Sequence, residues 1–203
     1  MKIICIGRNY AQHAKELNNE IPKEAVLFLK PETALVPKRL PFFIPDFSND
    51  VHYEAEIVVR INRLGKHIDA RFSHKYYDQL TVGIDFTARD LQSQLKSKGL
   101  PWEKSKAFDG SAAIGKWLHK NEFEDLNNLN FSLSINGERK QEGNTSQMPF
   151  SVDKLIAEVS KYFTLKIGDI IFTGTPSGVG AVKKDDILIA KIEEEQVLEL
   201  KVK

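Results

Sequence analysis

Cysteine is nearly absent: Cys5 is the one thiol in 203 residues, which excludes an internal disulfide framework and suits a reducing compartment. A surplus of either charge is missing too, with 29 Lys and Arg against 28 Asp and Glu. Nucleic-acid binding would call for cations clustered on one face, so neither DNA nor RNA is an expected partner. No stretch approaches the roughly 20 apolar residues needed to cross a bilayer. The opening Met1-Lys2-Ile3-Ile4-Cys5-Ile6-Gly7 is too short for a signal-peptide core, and no small-residue cleavage site follows it. The expectation is a cytoplasmic protein with no membrane partner.

Several familiar chemical motifs are missing as well. The five histidines show no His-Glu-x-x-His or zinc-finger spacing, and Cys5 has no local partner, so zinc and thiol catalysis are set aside. Neither a P-loop ending nor Gly-x-Gly-x-x-Gly occurs. What is present is an ordinary globular composition, 41% hydrophobic and 28% charged. A chain of this length buries roughly two-thirds of its unfolded surface. One domain over residues 1–203 is expected.

Apolar runs at Lys2–Ile6, Val26–Lys30, His52–Ile61, Gln79–Phe86 and Asp169–Thr173 predict strands, with at most a short one at Phe42–Ile44 among the prolines. Asn136-Gly137 predicts a hairpin after Leu129–Ile135, and Ile187–Ile192 with Gln196–Val202 a closing one. Helices are predicted at Tyr10–Leu17, at Ser151–Phe163, and at Thr87–Lys98 with Thr87 as N-cap. Strands outnumber helices and few are joined by crossover helices, so the fold class is α+β, mainly β.

The chemistry-bearing residues fall in four places. Glu54 and Glu56 share one face of a strand, with Tyr53, Ala55, Ile57 and Val59 on the other, core face. That spacing suits a hard divalent metal, Mg²⁺ or Mn²⁺, or else a solvent-facing polar face. Asp85 ends an apolar strand just before a helix, as a dipole partner or as a ligand. Arg89 and Gln92 follow at i and i+3, a pair able to grip a carboxylate or keto oxygen. His13 and Glu16 share helical spacing that lets a carboxylate hold an imidazole as general base, though surface pairs of this kind are common. The turn Gly174-Thr175-Pro176-Ser177-Gly178-Val179-Gly180 either lets backbone approach a ligand or only turns the chain.

Taken in order, Gly7-Arg8-Asn9-Tyr10-Ala11-Gln12-His13, Leu27-Phe28-Leu29-Lys30-Pro31, His52-Tyr53-Glu54-Ala55-Glu56, Asp85-Phe86-Thr87-Ala88-Arg89-Asp90-Leu91-Gln92, Lys98-Gly99-Leu100-Pro101-Trp102 and the 174–180 turn resemble the fumarylacetoacetate hydrolase family. The likeness is to its short acylpyruvase and oxaloacetate decarboxylase branch. It implies a rolled mixed β-sheet with a few peripheral helices, like that family's C-terminal domain, working as a homodimer. It also implies Mg²⁺ or Mn²⁺ on Glu54, Glu56 and Asp85, with Arg89, Gln92 and Thr175 binding a small 2-oxo acid. Lys106, His13 and Glu16 would be catalytic, the last two on a mobile lid. The implied activity is metal-dependent cleavage of a C–C bond, as acylpyruvate hydrolysis or oxaloacetate decarboxylation through a pyruvate enolate. The alternatives are a 2-hydroxyhepta-2,4-diene-1,7-dioate isomerase activity or a non-catalytic metal and 2-oxo-acid binder.

Overall fold

The computed structural model describes residues 1–11 and 23–203. The helix expected from Tyr10 to Leu17 therefore falls mainly outside the described residues, as do His13 and Glu16. In chain order the strands are β1 (Ile3–Gly7), β2 (Val26–Lys30), β3 (Val51–Tyr53), β4 (Ala55–Ile61), β5 (Tyr77–Asp85), β6 (Thr87–Ala88) and β7 (Ala112–Ile114). Then follow β8 (Leu118–His119), β9 (Asn130–Ile135), β10 (Glu138–Asn144), β11 (Ile170–Phe172), β12 (Gly180–Ala181), β13 (Ile187–Ile192) and β14 (Glu195–Lys201). The helices are α1 (Arg89–Ser97), α2 (Glu103–Lys106) and α3 (Val152–Tyr162). The fold is mainly β, as expected, and built on a curled mixed sheet.

A seven-stranded sheet runs β2-β1-β11-β4-β5-β7, with β8 also on β5; a four-stranded sheet runs β10-β9-β13-β14 and a three-stranded one β12-β3-β6. The β1–β11 pair is parallel, and β4 is antiparallel to both β11 and β5. β-Branched residues dominate β4, and β4 and β5 are both largely buried, which suits pleated strands covered on both faces. On one face Ile57, Val59, Val82 and Ile84 pack with Leu133, Leu188 and Ala190 of the four-stranded sheet. On the other, Val58 and Phe172 pack with Ile3, Cys5 and Ile170. The Asn136-Gly137 turn takes positive φ at both residues (53° and 85°), the twist a two-residue hairpin needs. Helix α3 buries Val152, Leu155, Ile156 and Val159 as one stripe.

Two expectations need correcting. The strand expected at His52–Ile61 is two strands, parted at Glu54 and lying in different sheets. There the Ala55 amide donates to the side chain of Gln141, 86 residues on (2.9 Å), instead of to a neighbouring strand. Thr87 is not the N-cap, because residues 87–88 pair with β3 and the helix begins at Arg89. The Thr87 hydroxyl instead accepts from Lys106 Nζ (2.6 Å). At Phe42–Ile44, as the prolines allow, pairing is limited to an isolated bridge from Phe42 to Val202 with flanking backbone hydrogen bonds. Among the described residues, no helix is long and apolar enough to cross a membrane.

Candidate active site

The break at Glu54 gathers the acidic residues. Glu54 sits between β3 and β4, Glu56 on β4, and Asp85 at the end of β5, where its amide donates to the Glu54 carbonyl (2.8 Å). One carboxylate oxygen from each lies within 4.8 Å of the others, and all three residues are buried. Three buried anions this close are unfavourable unless cations hold them. Lys106, ending α2, donates to Glu54 Oε2 (2.7 Å) and Asp85 Oδ2 (2.8 Å). Arg89 Nη2 is paired with Glu54 Oε1, and Arg89 Nη1 donates to Gln92 Oε1 (2.7 Å). Burial alone would lower the Lys106 pKa, but Asp85 and Glu54 outweigh it and hold the ammonium above its ordinary value. Lys106 therefore stays charged.

Two acidic groups keep unspent capacity. Lys30 Nζ lies 2.7 Å from Asp85 Oδ1 as an ion pair, but its hydrogen bonds go to the Lys106 and Ser111 carbonyls and the Ser111 hydroxyl. Asp85 Oδ1 is thus buried without a hydrogen-bond partner. Glu56 makes no ion pair among the described residues; its Oε2 accepts the Gly174 amide (2.6 Å). Burial, then Asp85 and Glu54, push the Glu56 carboxyl well above the usual carboxylate range. An all-oxygen carboxylate set of this kind fits a hard divalent cation such as Mg²⁺ or Mn²⁺. These side chains line one cleft of about 40 Å³ that also takes in Arg8, Lys96 and Trp102.

The 174–180 turn closes the site from β11. Gly174 takes φ +104°, and a Cβ there would lie 2.8 Å from Asn9 Cβ, so glycine lets its N–H reach Glu56. Asn9 in turn donates to the Thr173 carbonyl (2.8 Å) and ties the turn to β1. Thr175 lines the cleft, and its hydroxyl accepts from Gln141 Nε2 (2.9 Å). One Gln141 amide thereby bridges Ala55 and Thr175.

Seven of the nine residues singled out from sequence, Glu54, Glu56, Asp85, Arg89, Gln92, Lys106 and Thr175, line this one cleft. His13 and Glu16 lie outside the described residues. Sequence reasoning missed Lys30, Thr87 and Gln141. For Lys30 a signal existed: a lysine closing the apolar run Val26-Leu27-Phe28-Leu29 is placed for burial and needs an anion. Nothing in the polar strand around Gln141 announces its bridge.

A family model described as Fumarylacetoacetate (FAA) hydrolase C-terminal matches residues 2–202. The chain is 46% identical over 188 residues to the mitochondrial oxaloacetate decarboxylase of Dictyostelium discoideum, covering 92% of this chain and 86% of that one. It is 44% identical over 188 residues to the oxaloacetate tautomerase YcgM of Escherichia coli K12, again covering 92% and 86%. Among solved structures, a fumarylpyruvate hydrolase from Pseudomonas aeruginosa in complex with Mn²⁺ and pyruvate superposes with TM-score 0.93. That match has 34% identity and covers 100% of this chain and 89% of the other.

Proposed function

Because the chain belongs to the fumarylacetoacetate hydrolase C-terminal family, we propose that it is a divalent-metal-dependent enzyme that draws charge onto the 2-oxo oxygen of a 2-oxo acid, oxaloacetate first. The observation that carries this reading is the buried triad, with Asp85 Oδ1 accepting no hydrogen bond and Glu56 in no ion pair among the described residues. The relatives' names attach decarboxylation and tautomerisation to oxaloacetate, and the solved neighbour holds Mn²⁺ with pyruvate. Tautomerisation was not among the outcomes expected from sequence. It moves one proton between C3 and the 2-oxo oxygen and breaks no C–C bond.

Bound to Glu54, Glu56 and Asp85, the ion would polarise the substrate's 2-oxo group as a Lewis acid. Lys106, permanently charged, stabilises the negative charge that develops on that oxygen. Arg89 Nε is buried without a hydrogen-bond partner, and with Gln92 it grips the adjacent carboxylate. Thr175 keeps its hydroxyl proton for the substrate, because Gln141 already donates to its oxygen. His13, oriented by Glu16, carries the proton between C3 and solvent, or takes one from an attacking water. In decarboxylation the C3–C4 bond breaks, CO₂ leaves, and the electron pair passes to the 2-oxo oxygen before C3 is protonated. Acylpyruvate hydrolysis uses the same charge stabilisation but needs that water.

The chain is taken to act as one domain, as a homodimer in the cytoplasm. A groove of about 950 Å³ lined by Val36, Leu40, Trp117, Leu198 and Leu200 is the surface available to a second copy. To test the activity, oxaloacetate is followed by enol absorbance and pyruvate release beside acetylpyruvate, with Mg²⁺, with Mn²⁺ and with EDTA. Metal-dependent change in either substrate supports the proposal. No change in either, with oxalate still binding, would leave the chain a non-catalytic binder.

A further inference from the structure

Beyond the triad the same cleft carries two cations, Arg8 and Lys96, that the proposed chemistry does not use. Arg8, Arg89, Lys96 and Lys106 line it against three carboxylates, and a divalent ion would raise the positive excess further. Lys106 and Arg89 are committed to Glu54 and Asp85. Arg8 and Lys96 form no ion pair among the described residues. Two cations without an ion pair among the described residues, set beside the carboxylate triad, leave room for a second anion.

Their placement is specific. Arg89, Gln92 and Lys96 fall at i, i+3 and i+7 of α1, one stripe facing the cleft. Lys96 starts one turn beyond Gln92, roughly 6 Å further along the axis, and its side chain leans back toward it. Lys106 Nζ lies 5.4 Å from the Phe28 ring centre and Lys96 Nζ lies 4.9 Å from that of Trp102. The two rings are 6.1 Å apart, so the two ammonium groups sit on adjoining rings, one at the triad and one beyond it. Arg8 reaches the cleft from the end of β1 with φ +62°, a left-handed conformation that costs a non-glycine residue energy. Burial first, and then Arg89, Arg8 and Lys106, hold Lys96 down to about 8 against the opposing pull of Glu54.

We propose that Arg8 and Lys96 form a second anion-binding end of this cleft, which selects 2-oxo acids bearing a distal carboxylate over those of equal length that lack one. This rests on the 2-oxo-acid reading above and adds which of those acids the chain prefers. The triad, Arg89 and Gln92 take the 1-carboxylate and 2-oxo group, and the substrate lies along α1 toward Lys96.

The test compares ligand pairs that differ only at the far end, on Mn²⁺-loaded protein. Binding of 2-oxoglutarate against 2-oxopentanoate is measured by calorimetry. Oxaloacetate against 2-oxobutyrate is measured by short-time competition with oxalate, which reaches only the triad. The expected result is at least about tenfold tighter binding of the dicarboxylate in one pair or both, the usual worth of a charge-assisted contact. Lys96→Met and Arg8→Gln should each bring that ratio to within about threefold of unity, and Lys96→Arg should keep it. Oxalate affinity should stay within about threefold throughout, separating a lost subsite from a damaged fold. A ratio near one in the unaltered protein overturns the inference, as does a ratio that survives both substitutions or an oxalate affinity that falls in step with it. Intact oxalate binding without any preference sinks this inference alone, whereas no oxalate binding at all overturns the reading of the triad as well.

Discussion

Along the middle of β4 and β5, Ile57 pairs with Val82 and Val59 with Leu80, all buried and apolar. A few residues on, the same strands end in Glu54, Glu56 and Asp85, buried as deeply. The apolar part is stabilised by burial itself, at about 25 cal/mol per Å² removed from water. The acidic end is not: each desolvated carboxylate is a cost that Lys106, Arg89 and Lys30 offset incompletely. One sheet thus supplies a rigid frame, and that frame holds in place a charge arrangement that would not gather by itself. The difference predicts that changes at the two places separate function from stability.

The largest effect belongs to Glu56→Gln, expected to abolish metal-induced stabilisation and activity together, the latter by more than about 10³-fold. The same change should raise the melting temperature of the metal-free protein at neutral pH. Because the folded-state pKa of Glu56 lies above its unfolded value, the ionised group weakens the fold. The unaltered protein should therefore lose stability relative to Glu56→Gln as pH rises from about 4 through that raised pKa. Thermal melts across pH with EDTA read this, and a constant difference would contradict it.

His13→Ala should lower turnover by roughly 10²- to 10⁴-fold, the range of a lost general base, with Mn²⁺ binding preserved. Unchanged turnover would remove His13 from the reaction. Lys106→Met should lower kcat by roughly 10²- to 10³-fold, as for a lost oxyanion contact. Mn²⁺ affinity should rise at the same time, because a competing cation leaves Glu54 and Asp85. A fall in Mn²⁺ affinity would mean that Lys106 helps to build the metal site.

The apolar region should respond in the opposite sense. At Gly83 a Cβ would lie 2.6 Å from a Phe172 ring carbon and 2.9 Å from the Ala113 carbonyl oxygen. Gly83→Ala should therefore cost about 1–3 kcal/mol by overpacking. Ile171→Val, in the fully buried β11, should cost about 0.5–1.5 kcal/mol and leave Mn²⁺ affinity unchanged. Denaturant titration and metal titration on the same variants check both, and a Mn²⁺ affinity that falls with Ile171→Val would erase the separation.

Much of this was legible in one dimension. The β-branched runs gave the central strands to within a residue or two, Asn136-Gly137 gave its hairpin, and the apolar stripe of α3 gave the helix. The ordered motifs pointed to the family and to seven residues that line one cleft. The errors share one cause. Glu54 interrupts its strand and Thr87 leaves its cap because Gln141 and Lys106, distant in sequence, supply competing partners. No local propensity encodes a hydrogen bond across 86 residues.

By itself, then, the amino-acid order determined the periodicities, the turns and the set of acidic and basic residues, all governed by interactions among near neighbours in the chain. Only the tertiary structure decided which charges meet. It left Asp85 Oδ1 without a hydrogen bond, set Lys30 behind the triad, and brought Arg8 and Lys96 to one cleft with no ion pair to either among the described residues. Electrostatic partnership depends on distance and burial in space, and the closing of the sheet sets both.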